Sequence, residues 1–326
     1  MDLSVQQLRM LREVAQRGTI AAAAASLGYT PSAVSQQLNG LQRVTGVAVL
    51  ERAGRNVRLT DAGRELVRYA TDLLADLEAA RAAVERVANE VRGVLEVTVY
   101  ESVAATLLVP LLERLALAHP ELRLRTRQLE PDVAIDAVAA GEVDLAFTID
   151  YAHAPAARRP RVTRFSLAED FFHLVVPVGD PIDTAGVALA DVADRAFISA
   201  PPQSSCGRCV VMACRDAGFE PDIAHQIDLY PTALRLVAAG HGVALIPDLG
   251  LVDAPSDLRV VDLDPPLSRT IQLAYRTTSG ERPAIAAVRD ALQATVNDLG
   301  LAQPPEPPVR AQGTRSRQTP RILGRS

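Results

Sequence analysis

Lysine is missing altogether from this chain of 326 residues, so all 34 basic residues are arginine. That absence excludes a Walker-type phosphate loop and any lysine Schiff base, because both need an ε-amine. It makes every cationic contact a guanidinium, a group suited to bidentate phosphate or guanine recognition. Genomic base composition is the simpler origin of the bias. Hydrophobic residues make up 48% of the chain, yet no run of eighteen apolar residues occurs, and no membrane span is expected. The opening MDLSVQQLRM lacks the charged-then-apolar pattern of a secretory signal, and a cytoplasmic location is expected. Cysteine is scarce: Cys206, Cys209 and Cys214 lie within nine residues, unlike the dispersed framework of a secreted disulfide fold. There is no G-x-S-x-G and no H-E-x-x-H, and His119, His153, His173 and His241 have no nucleophile or carboxylate at telling spacing. No catalytic residue, no metal site and no resident cofactor is therefore expected, and the protein is read as not an enzyme.

What is present is unevenly charged. Residues 1–66 hold eight arginines and five acids, a net of +3, and residues 302–326 hold five arginines and one glutamate, a net of +4. Against a total of −5, residues 67–301 carry −12. An acidic body with basic ends points to nucleic acid at the ends. The length suits two or three domains, each able to bury a core.

The N-terminal segment reads as helices. Val5, Leu8, Leu11 and Val14 share one face of a helix over 5–17 that Gly18 stops. Thr19 caps an alanine-rich helix, Ile20 to Leu27, and Gly28 turns the chain. Thr30 is the N-cap of a third helix and Pro31 falls at its first position, where a missing N–H costs nothing. Within "TPSAVSQQL", Val34, Leu38 and later Leu41 pack inward, leaving Ser32, Ser35, Gln36, Asn39 and Gln42 outside. Helix, short turn, helix is the helix-turn-helix plan. Small polar residues at the front of its second helix let the backbone approach base edges, where Gln pairs with adenine and Ser meets base or phosphate. A merely solvated face would carry Glu and Lys instead. The expected DNA contacts are Thr30, Pro31, Ser32, Ser35, Gln36 and Gln37. "LERAGRNVRLTDAG" then reads as a β-ribbon wing whose Arg52, Arg55 and Arg58 reach the backbone or the minor groove. Thr60 caps the next helix.

From Leu8 to Gly63 the sequence resembles the winged helix-turn-helix of the LysR-type transcriptional regulators. The similarity rests on the small-residue second helix, "TPSAVSQQL", "LERAGRNVRLTDAG" and the long helix that follows, and extends to about residue 300. Pro31 stands where the family often has Gln, Gln42 where it often has Glu, and Val49-Leu50 where it often has Leu-Phe. The resemblance implies a C-terminal, periplasmic-binding-protein-like effector domain of two α/β lobes. It also implies double-stranded DNA, a small-molecule effector and RNA polymerase as partners.

From Leu66, apolar or small residues recur as Leu66, Ala70, Leu73, Leu77, Ala80, Val84, Val87 and Val91, alternately four and three apart. This heptad seam predicts a helix over 61–91, roughly 46 Å long, that pairs with a second copy into a homodimer. The resemblance adds pairing of dimers into a homotetramer. Gly93 breaks the helix. The domains expected are therefore 1–60 for the winged helix-turn-helix, 61–92 for the linker helix, 93–301 for the effector domain and 302–326 for a disordered Pro/Arg-rich tail.

Beyond Gly93, strands and helices alternate as in an α/β fold with a mainly parallel sheet. A first round has strands at 94–100, 122–129 and 143–149, with helices near 103–118 and 132–140. A second has strands at 196–200, 223–229 and 243–247, with helices at 205–217 and up to 240. "AVAAGEVDLAF" and "LVAAGHGVALI" echo one another at matching places, "FFHLVVPVGDP" looks like the crossover, and strands 258–262 and 269–276 with a helix near 283–299 close the body. Two such halves leave a ligand cleft at the carboxyl ends of their strands. Strand ends and helix starts name the effector candidates: Glu101, Ser102, Thr148, Gln203, Ser204, Ser205, Asp228, Tyr230 and Pro247. In the family, the Ser102-Val103-Ala104-Ala105 position commonly touches effector. Helix N-termini beside Glu101 and Asp228 suit a ligand bearing both amine and carboxylate. The alternative is the same scaffold acting as a thiol-redox sensor through Cys206 and Cys209, since a helix N-terminus and Arg208 would lower the Cys206 thiol pKa. A solute-binding protein or an enzyme would need an export signal or a catalytic constellation. A purely architectural DNA binder would leave the cleft unexplained.

Overall fold

Ser4 begins the structured chain with a capping box: its hydroxyl accepts from Gln6 N–H and Gln7 accepts from Ser4 N–H. The structure, a computed structural model, describes residues 3–304 apart from 55, 156–157 and 183–185. Helices α1 (Val5–Arg17) and α2 (Ile20–Leu27) have the expected bounds, α3 (Pro31–Thr45) starts where expected, and Thr19 and Thr30 both cap. Met10, Leu11, Val14, Ala23, Val34, Leu38 and Leu41 form a core of their own. The wing pairs β1 (Leu50–Ala53) with β2 (Asn56–Leu59), Leu50 opposite Leu59. Thr60 then caps α4 (Asp61–Ala88). A Cβ at Gly63 would lie 2.0 Å from the Val49 carbonyl oxygen, so the glycine of "LTDAG" lets α4 cross the wing in backbone contact.

Helix α4 ends earlier than its pattern predicts. Asn89, left-handed at φ 49°, terminates it, and Gly93 opens the next strand instead. Its 28 residues span roughly 42 Å. The helix has two working faces. Ala70, Leu74 and Ala82 are buried against their own chain, whereas Leu73, Leu77, Ala80, Val84 and Val87 are exposed. Ala70, expected in the pairing seam, therefore belongs to the inner face, and Val91 packs onto the body.

The body starts with β3 (Gly93–Val99). The single helix expected near 103–118 is two, α5 (Glu101–Thr106) and α6 (Leu108–Ala118), separated at Leu107. Strand β4 (Leu122–Gln128), α7 (Pro131–Ala140) and β5 (Leu145–Tyr151) complete the first round. Strand β6 (Val162–Pro177) then runs into the second lobe, which holds β7 (Ala196–Ser199), α8 (Ser205–Asp216), β8 (Asp222–Gln226), α9 (Tyr230–Ala238) and β9 (Ala244–Pro247). Strand β10 (Leu258–Arg276) returns to the first lobe, and α10 (Pro283–Asp298) packs there on α6.

The main sheet has the order β4-β3-β5-β10-β6-β9. Only β4-β3-β5, and β7-β8 in the second lobe, are parallel. The expected mainly parallel sheet is thus mixed, because the two strands linking the lobes run in opposite directions and pair with each other. The strands expected at 258–262 and 269–276 are one strand of 19 residues, interrupted by a register shift between Asp262 and Leu267 that contains Pro265 and Pro266. The echoing segments occupy equivalent places: Gly141 and Gly240 both turn left-handed at φ 78° between a helix and a strand. Of the expected tail, Ala302 accepts a backbone hydrogen bond from Glu169 at 2.9 Å, and residues 305–326 lie outside the described residues.

Candidate nucleic-acid interface and interlobe site

The front of α3 is open to solvent. Thr30 accepts from Ala33 N–H at 3.2 Å, and Thr30, Pro31, Ser32 and Gln36 are exposed, with Ser35 and Gln37 partly so. The helix buries Val34, Leu38 and Leu41 behind them. Gln42, expected to face outward, turns in: its side-chain oxygen accepts from Val49 N–H at 3.0 Å and ties the recognition helix to the entry of the wing. On the wing, Arg58 is paired with Glu51 at 2.5 Å, whereas Arg52 is exposed with no partner among the described residues. The expected contact Arg55 lies outside the described residues.

Between the lobes, sequence reasoning missed the central group. Arg269 on β10 is 2% exposed and faces Asp170 on β6, itself fully buried. Its guanidinium donates to Asp170 at 2.7 and 2.8 Å, to Ser102 Oγ at 3.0 Å and to the Tyr230 hydroxyl at 3.1 Å. Asp170 also accepts from Leu249 N–H at 3.1 Å. Tyr100, Phe172 and Tyr230 present ring faces within 6 Å of the guanidinium. One arginine thus fastens Ser102 of the first lobe to Tyr230 of the second. Burial would pull its pKa down, but Tyr230 and Asp170 more than offset that, so it stays charged. Burial conversely pushes the Tyr100, Tyr151 and Tyr230 hydroxyls up, keeping them neutral.

The sequence-named residues distribute around this cluster. Ser102 is not the cap of its helix: Tyr100 holds that position without a side-chain cap, and Ser102 is buried inside α5 as an acceptor for Arg269. Thr148 does not end its strand. It lies mid-β5 opposite Gln272, on the sheet face away from Tyr151 and Arg269, with a buried hydroxyl that has no partner among the described residues. Ser204 is the N-cap of α8, accepting from Gly207 N–H, and Ser205 donates to Asp132 of α7 at 2.6 Å. That carboxylate, from the other lobe, occupies the neighbourhood expected for a ligand anion. Gln203 is exposed, with its carbonyl held by Arg208. Pro247 is buried opposite Phe172 and precedes the turn that offers Leu249 to Asp170, so it positions this turn. Glu101 and Asp228 come together with Glu130 and Asp132. Burial and then Asp228 raise the Glu101 carboxyl, although Tyr230 N–H supports its charge, and burial, Asp228 and Asp132 raise Glu130. The rim of the cleft is acidic.

Cys206 does stand in the first turn of α8, as expected, but its other surroundings do not lower the thiol. Arg208 turns away to Gln203, Ser205 and Asp132, and burial raises the Cys206 thiol despite Arg269. Burial carries Cys209 and Cys214 up to about 12. Among the described residues, no three His, Cys, Asp or Glu side chains group as metal ligands, and no helix is long and apolar enough to cross a membrane.

Comparison with known proteins gives two family matches. Residues 5–64 match the model for "Bacterial regulatory helix-turn-helix protein, lysR family", and residues 88–297 match that for "LysR substrate binding domain". The HTH-type transcriptional regulator BenM of Acinetobacter baylyi is 26% identical over 312 residues, covering 93% of this chain and 99% of its own. A point variant of full-length OxyR from Pseudomonas aeruginosa superposes with a TM-score of 0.70 at 19% identity, covering 94% of this chain and 100% of that one. Full-length CbnR complexed with its target DNA superposes with a TM-score of 0.51 at 22% identity, covering 90% and 99%. At these identities the two structures speak for the fold.

Proposed function

The chain belongs to the LysR family of bacterial helix-turn-helix regulators, and from that membership we propose how it reads DNA and what it senses. It is a LysR-type transcriptional regulator with an effector domain. On our reading, Ser32, Ser35, Gln36 and Gln37 contact bases in the major groove, and Thr30, Pro31, Arg52, Arg55 and Arg58 hold the phosphate backbone or the minor groove. The single observation that carries this is the exposed, uncharged front of α3, capped and backed by its own core. Replacing Gln36 and Gln37 together by alanine is expected to lower affinity for promoter DNA ~10-fold or more while leaving random-sequence binding nearly unchanged. Equal loss on both DNAs, measured by fluorescence anisotropy across a salt series, refutes base reading.

The exposed seam of α4 pairs two copies and sets their recognition helices at a fixed separation, which calls for a two-fold symmetric operator. Pairing of dimers into tetramers, and contact with RNA polymerase at the promoter, complete the reading. No resident cofactor is assigned. The effector enters between the lobes and competes for the groups that Arg269 now fastens. The acidic rim of Glu101, Glu130, Asp132 and Asp228 favours a ligand bearing an amine over a plain carboxylate. Calorimetric titration with amino acids and with simple carboxylates separates the two, and binding of the carboxylates alone rules out the amine. The thiol-sensor alternative is disfavoured by the raised thiols, none of which is poised as a thiolate.

A further inference from the structure

Where α1, α4 and the first lobe meet, a half-enclosed cavity of about 770 Å³ opens. That volume falls in the range of small-ligand sites. Its wall shares no residue with the interlobe cluster of Arg269, Asp170, Ser102 and Tyr230. Every carboxylate on the wall is already paired. Glu13 and Glu142 meet Arg17, Asp72 meets Arg161, Glu78 meets Arg276, and Asp144 meets Arg282. Arg68 and Arg81 are paired with Glu65 and Glu85.

Two wall arginines are left over. Arg9 has no partner among the described residues, and it stands one helical turn from Arg12 on α1. Among the described residues, Arg12 donates to the Ala140 carbonyl at 3.1 Å, while its buried Nε has no partner. A Cβ on Gly141 would lie 3.8 Å from both the Arg12 and the Arg276 guanidinium, so two like charges converge there. Burial, aided by Arg276 and Arg9, pulls the Arg12 pKa down in spite of Glu13 and Glu78. Two guanidiniums with no direct ion pair among the described residues match a dianion, and their planar forks suit phosphate oxygens. A phosphate monoester carries about −1.5 to −2 charges near neutral pH. Leu27 and Leu74 on the same wall would receive its organic part.

We propose that this junction binds a small phosphate monoester, held by Arg9 and Arg12 against α4 and the first lobe. Such a ligand touches the DNA-binding domain, the linker helix and the effector domain at once. It therefore biases the position of the recognition helix independently of the interlobe effector, and operator DNA in turn changes its affinity by the same factor.

The test is calorimetric titration of the full-length protein with ribose 5-phosphate, inorganic phosphate, succinate and ribose. Ribose 5-phosphate is expected to bind saturably at one site per chain. Arg9→Glu, at an exposed position that leaves the core intact, is expected to weaken it at least tenfold, Arg12→Gln likewise, and Arg123→Gln on β4 not at all. Thermal unfolding without ligand checks that the variants are folded, and Arg9→Glu alone decides if Arg12→Gln is not. Absence of saturable binding at millimolar ribose 5-phosphate overturns the proposal. So does binding that survives Arg9→Glu, or succinate binding as tightly as the phosphate ester.

Discussion

At the residue scale, the Asp170–Arg269 pair is where one side chain decides most. Both members are buried, so removing either leaves an uncompensated charge in a low-dielectric setting. Asp170→Asn or Arg269→Met is expected to cost about 3–5 kcal/mol of stability, read from urea unfolding of each variant. Replacing both by apolar residues of similar volume should recover much of that loss, because the remaining groups are then not opposed by a lone charge. A double variant as unstable as the singles would show that the pair serves packing alone. The pair is only faintly legible in the sequence: Asp170 and Arg269 are two among several charges in β6 and β10, and burial of a charge is costly unless partners meet. Nothing in the spacing joins residues 170 and 269. Pairing of β6 with β10 does. Ser102 is legible as important but not in its role, because a serine near a helix start reads as a cap until the buried arginine beside it is seen.

At the element scale, α4 carries two patterns in one sequence. Its exposed face, Leu73, Leu77, Ala80, Val84 and Val87, keeps the four-three spacing of a pairing seam. Leu77→Glu with Val84→Glu is expected to shift sedimentation from dimer to single chain at the same concentration, with α-helical content unchanged. The inner face binds its own body through Glu78 to Arg276 and Glu85 to Arg282, both at 2.7 Å. Burial would raise Glu85, but Arg282 and Arg81 hold its carboxyl below the ordinary range. A lowered acid stabilises above the ordinary glutamate pKa of about 4.3 and loses that contribution as pH falls through the lowered value. Acidification is therefore expected to loosen α4 from the first lobe, seen as faster amide exchange in its C-terminal half. Glu101 and Glu130 run the other way: their raised carboxyls favour contact between the lobes at acid pH and lose it as pH rises through their folded values. The length of β10 is hidden in the sequence by Pro265-Pro266, which read as an end and are a shift of register.

For the molecule as a whole, a basic reading head and an acidic body are joined by one helix and a set of arginine contacts. Arg12 reaches the Ala140 carbonyl, and Arg17 reaches Glu142, so the DNA-binding domain leans on the first lobe directly. Strand β10 runs from Arg269 in the interlobe cluster to Arg276 at the linker helix, giving the cleft a continuous covalent path to α4. Peroxide treatment is expected to leave promoter affinity and free-thiol content unchanged, because all three thiols are raised; a change in both would revive the sensor reading.

The sequence alone determined the helix-turn-helix, its caps, the wing, the linker and the alternating body, because those follow from periodicity and turn chemistry over a few adjacent residues. Its motifs also identified the family. Only the tertiary structure decided which polar groups meet: Arg269 with Asp170, Ser102 and Tyr230; Ser205 with Asp132; Gln42 with the wing. These partners lie on different elements. Burial then sets their charge and chemistry, and burial is a property of packing that no local stretch of sequence contains.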